Sequence, residues 1–224
     1  MPGSIDDLVH VLRPAAGEPE GALVLLHGRG ADEHDLVPLL EALDPERRLT
    51  GVTAGGPLRL PPGGRHWYAV RRVGYPDPAT FRPTYATLCG WFDALPGAIG
   101  VPAARTVVGG FSQGTVMSYA LSLGAGRPSP AGVLALSGFL PEVEGFELDL
   151  GGHRDVPVAI AHGALDPVIG VRFGRDARDR LAAAGLPVSY RESPVPHAID
   201  PAAIPELERF ARDAVATGSS RAAR

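Results

Sequence analysis

The sequence contains no lysine, only one cysteine (Cys89) and no apolar run approaching the ~18 residues that a membrane-crossing helix needs. A single thiol rules out an internal disulfide and any metal site built from several thiolates. No segment reads as a bilayer span, and residues 1–16 lack a cationic start followed by an apolar stretch, so the expected location is the cytoplasm. The 21 basic residues are all arginine and are scattered among 25 acidic ones, giving a formal net charge of −4. Without a basic cluster there is no nucleic-acid footprint, and nucleic acid is not an expected partner.

What is present points to an ordered α/β chain. Apolar residues make up 45% of the 224, enough to bury one large core. No repeat and no composition shift divides the chain, so residues 1–224 read as one domain. The 29 glycines and 23 prolines fall between apolar runs and mark turns. Short apolar runs alternate with longer helical patterns, the arrangement of a mostly parallel sheet with helices on both faces. Strands are expected at 8–12 (an edge), 22–27, 49–54, 106–109, 133–136, 156–161 and 188–191. Helices are expected after an Asp35 cap, over 85–99, from Ser112 to about Leu123, over 168–184, and through Ile204, Leu207, Ala211 and Val215, with the tail frayed beyond Thr217. Residues 55–84 form a long, aromatic-containing stretch, and an irregular segment of that length in a compact domain is usually a functional wall.

The chemistry centres on Gly110-x-Ser112-x-Gly114, between an apolar strand and an apolar helix. A serine raised on so tight a turn adopts strained backbone angles, and side chains two residues before or after it would strike the neighbouring strand and helix. In a glycine-rich chain the pattern alone is weak; its strand-to-helix context carries the assignment. A serine hydroxyl needs a base within hydrogen-bond reach and a carboxylate to orient that base. The chain order on such a sheet is Ser, acid, His. His197, in a loop after the last strand, is the base by position, and Asp166, just beyond the preceding strand, is the acid. His162, at the end of that strand, reads as structural. Backbone amides for the oxyanion are expected from Gln113 and from Arg29 in His27-Gly28-Arg29-Gly30-Ala31.

These strings carry a resemblance. LLHGRGADEHDL (25–36), GGFSQG (109–114) and HGALDPV (162–168), followed by an amphipathic helix, a strand and His197, resemble the phospholipase/carboxylesterase family, which includes acyl-protein thioesterases and small bacterial carboxylesterases. The resemblance covers roughly residues 20–215. It implies a single-domain α/β-hydrolase without a cap, free of metal and cofactor, acting on small-molecule esters. The family's nucleophile falls on Ser112, its acid on Asp166, its base on His197 and its oxyanion amides on Arg29 and Gln113. One departure is Pro196, where the family commonly carries glycine.

Only about 20 residues separate the strands near 136 and 156, too few for a cap domain, so an open site for short or medium acyl chains is expected, with His66, Trp67 and Tyr68 either lining it or packing the long loop. Arg29 and Arg65 either meet an anionic substrate or are simply solvated. Cys89 reads as a small core residue. The expected activity is hydrolysis of esters or thioesters through an acyl-enzyme, following deprotonation of a histidine at about pH 6–7. The alternatives are a non-catalytic binding module of the same fold, or a transferase or amidase using the same triad; self-association as a homodimer stays open.

Overall fold

The computed structural model describes residues 3–222. In chain order the elements are β1 (His10–Arg13), β2 (Gly21–Leu26), α1 (Val37–Leu43), β3 (Leu49–Ala54), β4 (Leu58–Arg59), β5 (Arg65–His66), β6 (Val70–Arg72), β7 (Tyr75–Pro76), α2 (Pro78–Ile99), β8 (Thr106–Phe111), α3 (Gln113–Leu123), β9 (Gly132–Leu136), β10 (Val158–Gly163), α4 (Arg172–Ala183), β11 (Val188–Ser193) and α5 (Ile204–Ala222). Seven of the strands form the main sheet, in the order β1-β3-β2-β8-β9-β10-β11. Only β1 runs antiparallel, against β3; the other pairs are parallel.

Continuous apolarity in β2 follows from cover on both faces. Val24 and Leu26 pack with Phe81, Leu88 and Trp91 of α2 and Val116 of α3. Their neighbours Leu23 and Leu25 point the other way, into Leu39 and Leu40 of α1 and Leu207 and Ala211 of α5. On the α3 side, Ala177 and Leu181 of α4 close the core against Val158 and Ile160 of β10. The triad candidates follow the C-terminal ends of β8, β10 and β11, where an open parallel sheet places its ligand crevice.

Several boundaries differ from the sequence expectation. Helix α2 starts at Pro78 rather than Tyr85, with Pro78 in its first turn and Pro83 inside it. The irregular stretch therefore ends near Asp77, and it carries two short ribbons, β4 with β5 and β6 with β7. Asp35 caps nothing: the residue before α1 is Leu36, with no side-chain bond, while the Asp32 carboxylate accepts the His34 amide. Helix α4 begins at Arg172, because the amides of Val168 and Ile169 are bound to the Asp166 carboxylate instead of entering the helix. Strand β10 lies two residues later than expected, after Pro157. The helical tail continues past Thr217 to Ala222: Gly218 lies against the Ala104 carbonyl, where a Cβ would come within 2.0 Å, so this end is docked rather than frayed. Residues 223 and 224 lie outside the described residues.

Candidate active site

Ser112 sits between β8 and α3 with φ 56° and ψ −116°, a conformation that costs a non-glycine residue about 1–3 kcal/mol. The surrounding residues impose it. The Ser112 amide donates to the Leu136 carbonyl of β9 (2.9 Å). Thr115 ties β8 to β9: its Oγ1 lies 2.6 and 2.7 Å from the Gly110 and Leu136 carbonyl oxygens, which share its one proton, and it accepts the Leu136 amide at 3.0 Å. The flanking glycines are steric requirements: a Cβ on Gly114 would stand 1.8 Å from the Leu26 carbonyl oxygen, and one on Gly110 would be 2.4 Å from the Gly114 carbonyl carbon.

The structure brings Ser112, His197 and Asp166 into one hydrogen-bonded chain. The Ser112 hydroxyl meets His197 Nε2 at 3.0 Å, and His197 Nδ1–H donates to Asp166 Oδ2 at 2.6 Å. The other carboxylate oxygen, Asp166 Oδ1, accepts the Val168 and Ile169 amides, both at 2.8 Å, so the acid cannot rotate away from the ring. His162 Nε2–H donates to the Ile169 carbonyl at 2.7 Å and closes this loop from behind, in the structural place expected of it. The Phe111 ring lies 4.7 Å from that of His197, covering its flank. Pro196 directs its carbonyl at Gly163, where a Cβ would come within 2.2 Å; the loop carrying His197 therefore rests on a glycine in the acid loop.

The two expected oxyanion residues are held by the 55–77 excursion. The side-chain oxygen of Gln113 accepts the Trp67 amide (3.1 Å), and its NH₂ donates to the Tyr68 carbonyl (2.9 Å). Its own amide opens α3, where no carbonyl one turn earlier is available to it. Around Arg29, the Gly30 amide donates to the Arg65 carbonyl (2.8 Å) and the Arg65 amide to the Ala31 carbonyl (2.7 Å), stitching the loop to β5. His27 fixes its start: Nδ1–H donates to the Gly28 carbonyl (2.6 Å) while Nε2 accepts the Gly56 amide (2.9 Å). Burial holds this ring below the ordinary histidine range, against the Gly28 bond and the nearby carboxylates of Asp35, Asp32 and Glu33.

Beside Ser112 lies a cavity of about 310 Å³, lined by Arg29, Tyr68, Gln113, Phe139 and Ile169 among others. Of the three aromatic wall candidates only Tyr68 reaches it. Trp67 is fully buried behind the site, its indole N–H donating to the His27 carbonyl (2.9 Å), and His66 donates to the Tyr68 carbonyl (3.1 Å) within its ribbon. Arg65 is engaged by Glu33 at 3.3 Å rather than turned to a substrate. Cys89 is partly buried within α2, away from the triad, and burial pushes its thiol up, which suits a packing residue. A larger cavity, about 550 Å³, opens near the N-terminal ends of the strands between Asp44, Arg105 and Arg212 and contains no triad residue. Among the described residues no cluster of side chains fits a metal ion, and no helix is long and apolar enough to cross a membrane.

The local bonds that hold Gln113 and the 28–31 loop were invisible in sequence because they run through backbone atoms. His27 was signalled only by its place before Gly28, and Phe111 only as the variable position ahead of the serine.

Comparison with known proteins bears on the family and the fold. A profile of the family described as Phospholipase/Carboxylesterase matches residues 9–214. An acyl-protein thioesterase 1 of Neurospora crassa is 27% identical over 213 residues, spanning 82% of each protein. One from Yarrowia lipolytica is 28% identical over 179 residues, 74% of this chain and 78% of that protein. A Bacillus cereus carboxylesterase structure superposes with a TM-score of 0.79 at 21% identity, covering 92% of this chain and 94% of the other, which shows the α/β-hydrolase fold.

Proposed function

The chain belongs to the phospholipase/carboxylesterase family, and from that premise we propose that it is a serine hydrolase cleaving carboxylic esters of short to medium acyl length, or thioesters, through an acyl-enzyme. The observation that carries the reading is the Ser112–His197–Asp166 chain, with contacts of 3.0 and 2.6 Å.

The steps follow from that geometry. His197 Nε2 takes the Ser112 proton as Oγ attacks the ester carbonyl, and Asp166 holds the ring in the Nδ1–H form and stabilises the imidazolium. The oxygen of the tetrahedral intermediate is received by the Gln113 and Arg29 amides; a donor of that kind contributes about 2.7–4 kcal/mol in the transition state. His197 then protonates the departing alcohol or thiol. Water enters as the second nucleophile, is deprotonated by the same nitrogen, and releases the acid. The segment between β9 and β10 contains no helix among the described residues, so it builds no cap domain over the site.

Replacing Ser112 with alanine should lower kcat for p-nitrophenyl butyrate by about a thousandfold or more, and abolish labelling by a neutral fluorophosphonate probe. Undiminished hydrolysis by Ser112→Ala would remove the reading.

A further inference from the structure

The cavity beside Ser112 combines an apolar wall with two uncommitted charges. Val70, Val73, Phe139, Val168 and Ile169 supply most of the wall, and Arg29 and Arg72 are the only ionisable cations on it, with no carboxylate among its lining residues. Of the arginines nearby, Arg65 meets Glu33 at 3.3 Å and Arg71 meets Asp77 at 3.3 Å, whereas Arg172 lies over the Phe173 ring without a carboxylate partner among the described residues. Among the described residues, neither Arg29 nor Arg72 has a carboxylate within 4.0 Å. What sets these two apart from the chain's other unpaired arginines is their place on the wall of the cavity that contains Ser112.

Arg72 is nevertheless held in place. Its guanidinium lies over the Tyr75 ring, 3.6 Å from the centroid. Stacking uses the flat face of the group and leaves its in-plane N–H donors free, the geometry suited to a carboxylate or phosphate. Arg29 extends from the loop whose amide is assigned to the oxyanion, so an anion on its side chain would sit close to the reacting carbonyl.

We propose that the ester cleaved here carries an anionic group, a carboxylate or a phosphate, recognised by the side chains of Arg29 and Arg72. The inference rests on the hydrolase reading and narrows it from esters in general to anionic esters.

The test uses pairs that differ at the anionic group alone: mono-p-nitrophenyl adipate against its methyl ester for a carboxylate, and 1-butyrylglycerol 3-phosphate against 1-butyrylglycerol for a phosphate. The readout is the ratio of kcat/KM, anionic over neutral, taken within each variant so that a general loss of activity cancels. In the wild type the ratio should reach about tenfold for at least one pair, and it should shrink as salt is added. In a double Arg29→Gln, Arg72→Gln variant it should fall to within about twofold of unity. A wild-type ratio at or below one in both pairs, no response to salt, or a ratio that survives the double substitution would overturn the proposal. If instead no ester of either kind is cleaved and the neutral fluorophosphonate leaves Ser112 unlabelled, the hydrolase reading itself has failed, and the inference with it.

Discussion

At His27 burial decides the protonation state of a ring that the proposed mechanism never uses as a base. Burial penalises the charged form and outweighs the Gly28 bond that favours it, and the Gly56 N–H presented to Nε2 is one that only the neutral imidazole can accept. The folded-state pKa is therefore depressed below the unfolded value of about 6.5. For a histidine shifted this way the unfolded chain binds the proton first as the pH drops. The stabilising contribution is complete above about pH 6.5 and is lost as the pH falls through the folded pKa. A His27→Gln variant, which cannot titrate, should show a flatter decline of urea-unfolding stability than the wild type between pH 6.5 and 5, about the interval below the free-histidine pKa. Parallel declines in the two proteins would contradict this. The same reasoning explains why the residue escaped notice in the sequence: a histidine before a glycine looks like any loop histidine until the Gly56 amide is seen facing it.

Elements of five residues or more with a clear apolar pattern were legible, because burial on both faces makes β2, β3 and β9 largely apolar or small, and one-sided burial gives α5 its spacing of Leu207, Ala211 and Val215. The ribbons β4–β5 and β6–β7 were not legible: strands of two or three residues are shorter than any period they could display. Their purpose is also written in backbone contacts. Gly64, with φ +85°, precedes β5 at a point where a Cβ would stand 2.0 Å from the Gly30 carbonyl oxygen. Gly64→Ala must push the 28–31 loop off β5 and move the Arg29 amide. If that amide receives the oxyanion, kcat should fall by about a hundredfold, the value of one such donor, while the Ser112–His197–Asp166 contacts remain. A kcat within about twofold of wild type would show that the loop position does not matter to catalysis. The proposed triad and the proposed oxyanion residues Arg29 and Gln113 were legible from their places after strand ends; the bonds that hold Gln113 and the 28–31 loop were not, because they run through backbone atoms.

Across the whole molecule, the end of the sheet remote from Ser112 is fastened by a buried ion pair. Arg13 of β1 is 4% exposed and Asp44, just after α1, is 5% exposed. The guanidinium donates to the Asp44 carboxylate and to the carbonyls of Leu40 and Leu49, at 3.2 and 2.9 Å. The carboxylate also accepts the amides of Arg48 (2.9 Å) and Leu49 (3.0 Å). Asp44→Asn removes the buried carboxylate and leaves the guanidinium only the half-exposed Glu41 at 3.8 Å, a loss of about 3 kcal/mol. This cluster borders the α1–α5 face, whereas both tryptophans, Trp67 and Trp91, are buried on the α2–α3 face. If residues 1–224 fold as one cooperative unit, as we propose, the two faces cannot melt separately. Tryptophan fluorescence and far-UV circular dichroism should then give coincident urea transitions, and Asp44→Asn should shift both by its full destabilisation although no tryptophan lies in its layer. A fluorescence transition that stays put while the circular dichroism curve moves would mean that the sheet divides two units, each with its own core.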